Sequence, residues 1–113
     1  MTQTKSDLLS KRCQPCKPGT PALNSTEVSK LLKSFDGWAL GDGAISREFK
    51  FKNFYETMAF VNAIAWIANR EDHHPDMEVG YNRCLVKFST HSVCGLSQND
   101  FICAAKVDQL LAS

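Results

Sequence analysis

The feature that most constrains the fold is a long apolar segment that begins after Asn53 and ends near Arg70. Asn53, with Glu56 three residues later, forms a capping-box pattern that is typical of a helix start. Apolar side chains recur along the segment at helical spacing: Phe54, Met58, Val61, Ala65 and Ala68. A second set widens this stripe: Phe60, Ile64 and Ile67. So wide an apolar surface has to be covered on more than one side, which predicts a central core helix or a helix at a subunit contact.

Shorter elements flank this helix on both sides. Two further helices are predicted, one after Asn24 and one after Ser97, because each of these residues opens a capping-box pattern. The last helix has a predicted buried stripe: Phe101, Ala104, Val107 and Leu111. Alternating apolar residues predict strands over 38–40, 45–51, 77–81 and 83–90. The order helix, strand, strand, helix, strand, strand, helix predicts an α+β fold, in which three helices pack on a four-stranded antiparallel sheet.

The length of 113 residues is that of one domain. Residues 1–23 are polar and contain Pro15, Pro18, Gly19 and Pro21, which predicts a flexible tail. Residues 24–113 contain no linker-like stretch and no repeat, so we expect them to form a single domain.

Charge and cysteine content narrow the classes of function. The formal net charge of +1 does not favour a nucleic-acid or anionic-membrane binder. No run approaches the roughly 18 apolar residues of a membrane span, and the first residues lack the apolar core of a secretory signal. The five cysteines are then expected to be reduced thiols of a cytoplasmic protein.

Histidines concentrate where the central helix is predicted to end. Glu71, Asp72, His73 and His74 are consecutive there, and His91 follows at the end of a predicted strand. The single hairpin between them can bring the strand end back to the helix end. Such a cluster is a candidate for acid–base catalysis. There are two alternatives. The histidines can lie in a solvated turn that interacts favourably with the helix dipole, or they can form a zinc site, although their spacing is not that of helical zinc sites.

Two N-terminal cysteines leave their own alternatives open. Cys13 and Cys16 have the spacing of half a zinc site or of a redox pair. The sequence offers no matching second pair, since Cys84 and Cys103 fall in or beside the predicted core stripes. The other interpretation is an exposed tail.

Several motifs together are similar to one known family. These motifs are residues 51–54, 72–75, 81–82, 89–91 and 95–97, with Asp100. They span most of residues 24–112 and resemble the signature of the pterin-4a-carbinolamine dehydratases. The resemblance implies a four-stranded antiparallel sheet joined edge to edge into dimers. It implies dehydration of 4a-hydroxytetrahydrobiopterin to the quinonoid dihydropterin, which recycles the cofactor of an aromatic amino acid hydroxylase, without a metal or an organic cofactor.

The same resemblance implies the site residues. The catalytic set falls on His73, His74 and His91. Histidine has a pKa near 6.5 in model peptides and can act as acid or base at neutral pH, so we expect His73 and His91 to be the acid–base pair and His74 to hold the pterin. Supporting and substrate-binding roles are expected for Glu71, Asp72, Ser89, Thr90 and Asp100.

Some positions depart from the vertebrate members of the family. Where those members carry a Glu, this chain has Asn69, and Glu71 is the expected substitute; where they carry an Arg, it has Asn99. Vertebrate members also lack the Cys13–Cys16 spacing, which some bacterial relatives share, and they double as dimerisation cofactors of a homeodomain factor. A non-catalytic dimeric interaction module of the same fold is therefore the alternative. The exposed edge of a predicted strand and the wide apolar helix predict a homodimer or a homotetramer.

Overall fold

The computed structural model describes residues 4–17 and 19–111. The helices are α1 (Lys5–Leu9), α2 (Ser25–Leu32), α3 (Phe54–Glu71) and α4 (Gln98–Gln109). The strands are β1 (Ala39–Gly41), β2 (Ala44–Lys50), β3 (Asp76–Val79) and β4 (Arg83–Phe88), and a 3-10 turn covers His91–Val93.

The four strands form one antiparallel sheet in the order β1-β2-β4-β3. The two hairpins of the chain are joined through β2 and β4, where Phe49 lies opposite Cys84 and Arg47 opposite Val86. The predicted α+β fold with a four-stranded antiparallel sheet is confirmed.

One face of the sheet carries the core. Along β4 the side chains of Cys84, Val86 and Phe88 are buried, and their neighbours are half-buried, as alternation predicts. Arg47 lies on the core-facing parity of β2, and its charge is satisfied by Asp108 of α4, with 3.0 Å between Nη1 and Oδ1. The Trp38 indole donates to the other oxygen of Asp108 at 2.9 Å. This aspartate therefore fastens α4 to the β1–β2 hairpin.

The core face of α3 differs from the predicted stripe. The buried residues are Thr57, Phe60, Ile64, Ile67, Ala68 and Glu71. Phe54 is 50% exposed, and Ala65 also faces solvent. The apolar surface predicted for this helix includes Phe60, Ile64, Ile67 and Ala68, but the sequence pattern does not predict the burial of the polar residues at the two ends of the face, Thr57 and Glu71. Thr57 is buried because its hydroxyl lies 2.9 Å from the Asn53 carbonyl oxygen and 3.0 Å from that of Tyr81, so that it can donate locally or to the following hairpin.

Two smaller differences concern element ends. Leu111, predicted as part of the buried stripe of the last helix, lies beyond α4 and is 51% exposed. The strand predicted over 83–90 ends at Phe88, so His91 lies in the 3-10 turn. The helix starts agree better with the predictions than these ends do. At the start of α2, the Asn24 side chain accepts from the Glu27 amide and the Glu27 side chain accepts from the Asn24 amide, which is the predicted capping box.

The N-terminal segment is docked, which corrects the prediction of a flexible tail over the described residues. Thr4 and Asp7 cap α1 reciprocally. Leu8 is fully buried against the core, and the Lys106 ammonium group of α4 donates to the Leu9 carbonyl at 2.9 Å. Pro18, one of the residues behind that prediction, lies outside the described residues. Over the described part of the chain, the structure contains no helix long and apolar enough to span a bilayer.

Candidate active site

The site begins where α3 ends. Asp72 is the C-cap and adopts the left-handed conformation, with φ 52° and ψ 43°. Aspartate tolerates this conformation better than most residues. The turn returns the His73 amide to the helix, where it donates to the Ala68 carbonyl at 3.1 Å. The reversal directs His73 back towards the sheet instead of into solvent.

The His73 side chain is held from two sides. Its ring stacks on Phe88 at the end of β4, with centroids 6.0 Å apart and planes 10° from parallel. Its Nε2 lies 2.6 Å from Oδ1 of Asp100 in the first turn of α4. Only 12% of the histidine side chain is exposed, and none of the Asp100 side chain is. The imidazole is therefore fixed in orientation, with a small part of its surface open.

Asp100 is surrounded by hydrogen-bond donors. Its Oδ2 accepts from the Thr90 hydroxyl at 2.7 Å and from the Ser97 amide at 2.9 Å. The Thr90 and Ser97 hydroxyl oxygens are 2.7 Å apart. Since the single hydroxyl proton of Thr90 goes to Asp100, Ser97 donates to Thr90. The carboxylate thus accepts from three groups, which is the arrangement that keeps a buried carboxylate satisfied.

This network sets the tautomer of the histidine. With Asp100 as a carboxylate, Nε2 of His73 carries the proton that makes the 2.6 Å contact. Nδ1 is then the nitrogen left to accept or deliver a proton. A histidine oriented by a buried carboxylate is one arrangement that can serve in general acid–base catalysis.

Glu71, at the last turn of α3, is also buried and paired. Its side chain is 1% exposed, and Oε2 lies 2.8 Å from the Arg12 guanidinium. Oε1 accepts from the Cys13 amide at 2.8 Å. The N-terminal segment therefore neutralises the Glu71 carboxylate, which the family resemblance suggested as the substitute for the glutamate that is replaced by Asn69 in this chain.

An open cavity of about 350 Å³ lies beside His73. Its lining includes Glu71, Asp72, His73 and Thr90 from the predicted set, and the N-terminal segment adds Cys13, Gln14, Pro15 and Cys16. Arg70, Ser92 and Asn99 complete it. The volume is within the usual range for small-ligand sites. The carboxylates of Glu71 and Asp72 and the His73 imidazole thus border space that a flat heterocycle can occupy.

The remaining predicted residues are placed differently. His74 and His91 are both exposed, and neither belongs to the lining of this cavity. Ser89, half-buried, is also outside the lining. The structure therefore brings five of the predicted residues together: Glu71, Asp72, His73, Thr90 and Asp100. His74 and His91 follow His73 and Thr90 in the sequence, but their side chains lie at the surface.

Sequence reasoning missed several residues of the site. From the sequence, Ser97 is a helix cap and part of the 95–97 motif with no role assigned in the site, whereas its amide donates to Asp100 and its hydroxyl contacts that of Thr90. Arg12 and Cys13 were missed because the segment lacks apolar periodicity. One signal was available: Thr4 with Asp7 has the capping-box spacing, which indicates a helix ahead of the cysteines.

Metal binding was the competing interpretation of the histidine and cysteine clusters. Within residues 4–17 and 19–111, no group of three or more His, Cys, Asp or Glu side chains is arranged to hold a metal ion. Cys13 instead contacts Cys103, with 3.5 Å between the sulfur atoms. The pKa of Cys103 is raised, because its thiol contacts Cys13 and is buried.

A four-stranded antiparallel sheet with a carboxylate-held histidine beside an open cavity defines a class: small α+β domains with a candidate acid–base site for a small ligand. Comparison with known families then narrows the class. Residues 21–110 match the family described as pterin 4 alpha carbinolamine dehydratase. The chain belongs to this family.

Curated relatives agree with this assignment. A Nitrosomonas eutropha protein is 59% identical over 108 residues, which cover 95% of this chain and 96% of that protein. A Legionella pneumophila protein is 59% identical over 109 residues, with 94% and 96% covered. Both carry the name "Putative pterin-4-alpha-carbinolamine dehydratase".

Solved structures share the fold. A transcriptional coactivator/pterin dehydratase from Brucella melitensis superposes with a TM-score of 0.76 at 35% identity, over 80% of this chain and 99% of that one. A pterin dehydratase-like RuBisCO assembly factor of the alpha-carboxysome superposes with a TM-score of 0.56 at 21% identity, over 67% and 88%. The second likeness concerns the fold alone.

Proposed function

We propose that this protein dehydrates 4a-hydroxytetrahydrobiopterin to the quinonoid dihydropterin. The observation that carries the proposal is the His73–Asp100 contact of 2.6 Å at the wall of an open cavity. The reaction breaks the bond between C4a and its hydroxyl oxygen. A proton has to reach the departing oxygen, which leaves as water, and the proton on the neighbouring ring nitrogen has to be removed. Each transfer needs a group that titrates near neutral pH.

His73 is proposed as one of the two proton-transfer groups. Asp100 fixes its orientation and leaves Nδ1 for the substrate. Asp100 is a positioning residue in this scheme, since its two oxygens are engaged by three donors, from His73, Thr90 and Ser97. Asp72 lies at the rim and can accept from a pterin nitrogen.

His91 and His74 complete the proposed set by family resemblance. His91 follows Thr90, which is tied to Asp100, so its backbone is anchored one residue from the network. It is proposed as the second proton-transfer group and His74 as a pterin-holding residue, with Ser89 near the bound ring. Their exposure leaves both histidines free to turn towards a bound substrate.

The reaction is proposed to take place in the cytoplasm and to recycle the pterin of an aromatic amino acid hydroxylase. The assembly is proposed to be a homodimer or a homotetramer. No metal and no organic cofactor is invoked for the chemistry.

A second candidate is a non-catalytic interaction module of the same fold. One observation favours it: α3 exposes large aromatic side chains, with Tyr55 83% and Trp66 63% exposed. The Brucella relative bears the name of a coactivator as well as a dehydratase. An interaction module has no need of a buried network around His73, so the dehydratase is the leading proposal.

The test is the decay of 4a-hydroxytetrahydropterin, followed by absorbance with and without the protein. We expect His73→Ala to lower kcat by about a hundredfold or more, the usual range for loss of a general acid or base. Lys30→Ala, on the exposed side of α2, is the control and should behave as wild type. Wild-type activity in a folded His73→Ala protein would exclude the assigned role, and an inactive wild type would favour the interaction module.

A further inference from the structure

Residues 12–16, called the strap here, form one side of the cavity at His73. Cys13, Gln14, Pro15 and Cys16 all line it. The strap precedes the region that matches the family, which begins at residue 21. It is therefore a part of the site that lies outside the matched family region.

The strap is held by side chains of the domain. Asn99 brackets Gln14: its Oδ1 accepts from the Gln14 amide at 3.0 Å and its Nδ2 donates to the Gln14 carbonyl at 2.7 Å. The buried Glu71 carboxylate forms an ion pair with the Arg12 guanidinium and accepts a hydrogen bond from the Cys13 amide. The Cys13 thiol contacts Cys103 behind the strap. These contacts anchor three consecutive residues of the strap, Arg12, Cys13 and Gln14, to the domain.

We propose that the strap is a substrate-contacting wall of the site, so that bound pterin lies against Gln14–Cys16 and its affinity depends on the Arg12–Glu71 pair. This inference rests on the proposed function and adds to it a segment that determines pterin affinity. The cavity side of the strap carries an amide, a proline ring and a thiol. These groups suit an uncharged heterocycle, since the one cation of the strap, Arg12, is engaged by Glu71.

Thiol protection tests the contact on the full-length wild-type protein. Cys16 lines the cavity, whereas Cys94 is exposed and lines a different depression. Cys103 is expected to react little with an alkylating reagent, because its raised pKa and full burial keep the thiol protonated and covered. The protein is treated with iodoacetamide, with and without oxidised L-biopterin, and the alkylation of each cysteine peptide is followed by mass spectrometry.

At a biopterin concentration ten times its Kd, alkylation of Cys16 should slow by about tenfold, since only the free protein reacts. The rate at Cys94 should stay constant. Binding itself is followed separately by the quenching of biopterin fluorescence. An unchanged Cys16 rate at saturating biopterin would overturn the strap contact and leave the proposed function intact. Absence of any binding, together with absence of turnover, would overturn both.

A matched pair of variants tests the dependence on the strap anchor. Arg12→Gln removes the cation from Glu71, while Lys17→Gln removes an exposed cation just beyond the strap. We expect Arg12→Gln to raise the biopterin Kd and the substrate KM severalfold, with kcat changed less than KM. Lys17→Gln should match wild type. Equal affinities in both variants, with both folded by circular dichroism, would overturn the dependence.

Discussion

At the scale of single residues, the site depends on one buried carboxylate. Asp100 orients His73 and is itself held by Thr90 and Ser97. A buried group with this many donors is sensitive to any change that leaves one of them unpaired.

Asp100→Asn tests this dependence. The amide nearly preserves the shape but accepts through one oxygen only, so it cannot serve the His73 and Thr90 sides together. We expect kcat to fall by about tenfold or more, because the histidine loses its fixed tautomer. The pH profile of kcat should move as well, which a purely structural role would not produce. Thr90→Ser, which keeps the hydroxyl, is the control and should retain most of the activity.

At the scale of elements, much of the fold followed from sequence pattern. The capping residues at Asn24 and Asn53 and the alternation in β4 predicted helix starts and strand faces that the structure contains. The core face of α3 could not be predicted from apolar residues alone. Thr57 and Glu71 are buried through partners that lie elsewhere in the chain, and no local pattern reveals those partners.

The same reason explains which part of the site was predictable. The motif identified His73 and Asp100 as candidates, and the structure brings these two residues together. It could not identify the strap, because the link between Cys13 and Glu71 joins positions 58 residues apart. Such a contact depends on tertiary packing, which leaves no periodicity in the sequence.

Removal of the N-terminal segment is the test at this scale. Deletion of residues 1–17 exposes the surface that Leu8 covers and leaves the Glu71 carboxylate without Arg12 and the Cys13 amide. Burial of one Leu contributes about 1.5–3 kcal/mol, and loss of partners to a buried charge adds to that. We expect Tm to fall by about 10 °C or more by scanning calorimetry.

Ser6→Ala, an exposed change in the same helix, is the matched control for this deletion and should leave Tm within about 2 °C. A deletion variant as stable as wild type would show that the docked segment contributes little to folding.

At the scale of the whole molecule, the sheet has an open edge. Among residues 4–17 and 19–111, β3 pairs with β4 on one side and with no strand on the other. The Gly80 amide donates to the Arg83 carbonyl at 2.8 Å, and donors alternate along an antiparallel strand, so the Val79 amide points away from β4. Val79 is also 42% exposed. This edge can add a strand of a second copy.

Val79→Pro should therefore block assembly, since proline removes the outward amide donor without touching the pairing to β4. By light scattering we expect wild type at a multiple of the 12.6 kDa chain mass and the variant at that mass. Val79→Thr, which keeps the amide, should assemble like wild type. A wild type that scatters as a single chain at micromolar concentration would refute the proposed assembly.

The long-range contacts of the site also bear on how the protein is made. The His73 side chain needs the carboxylate of Asp100, which lies 27 residues later in the chain. Leu8 of α1 packs with the Phe101–Val107 part of α4 in one core. In a nascent chain α1 therefore emerges before its partner α4, and the pocket stays incomplete until α4 has left the ribosome. Translation has to pass α4 before the His73–Asp100 pair can form, so a product that stops earlier holds an unfinished pocket.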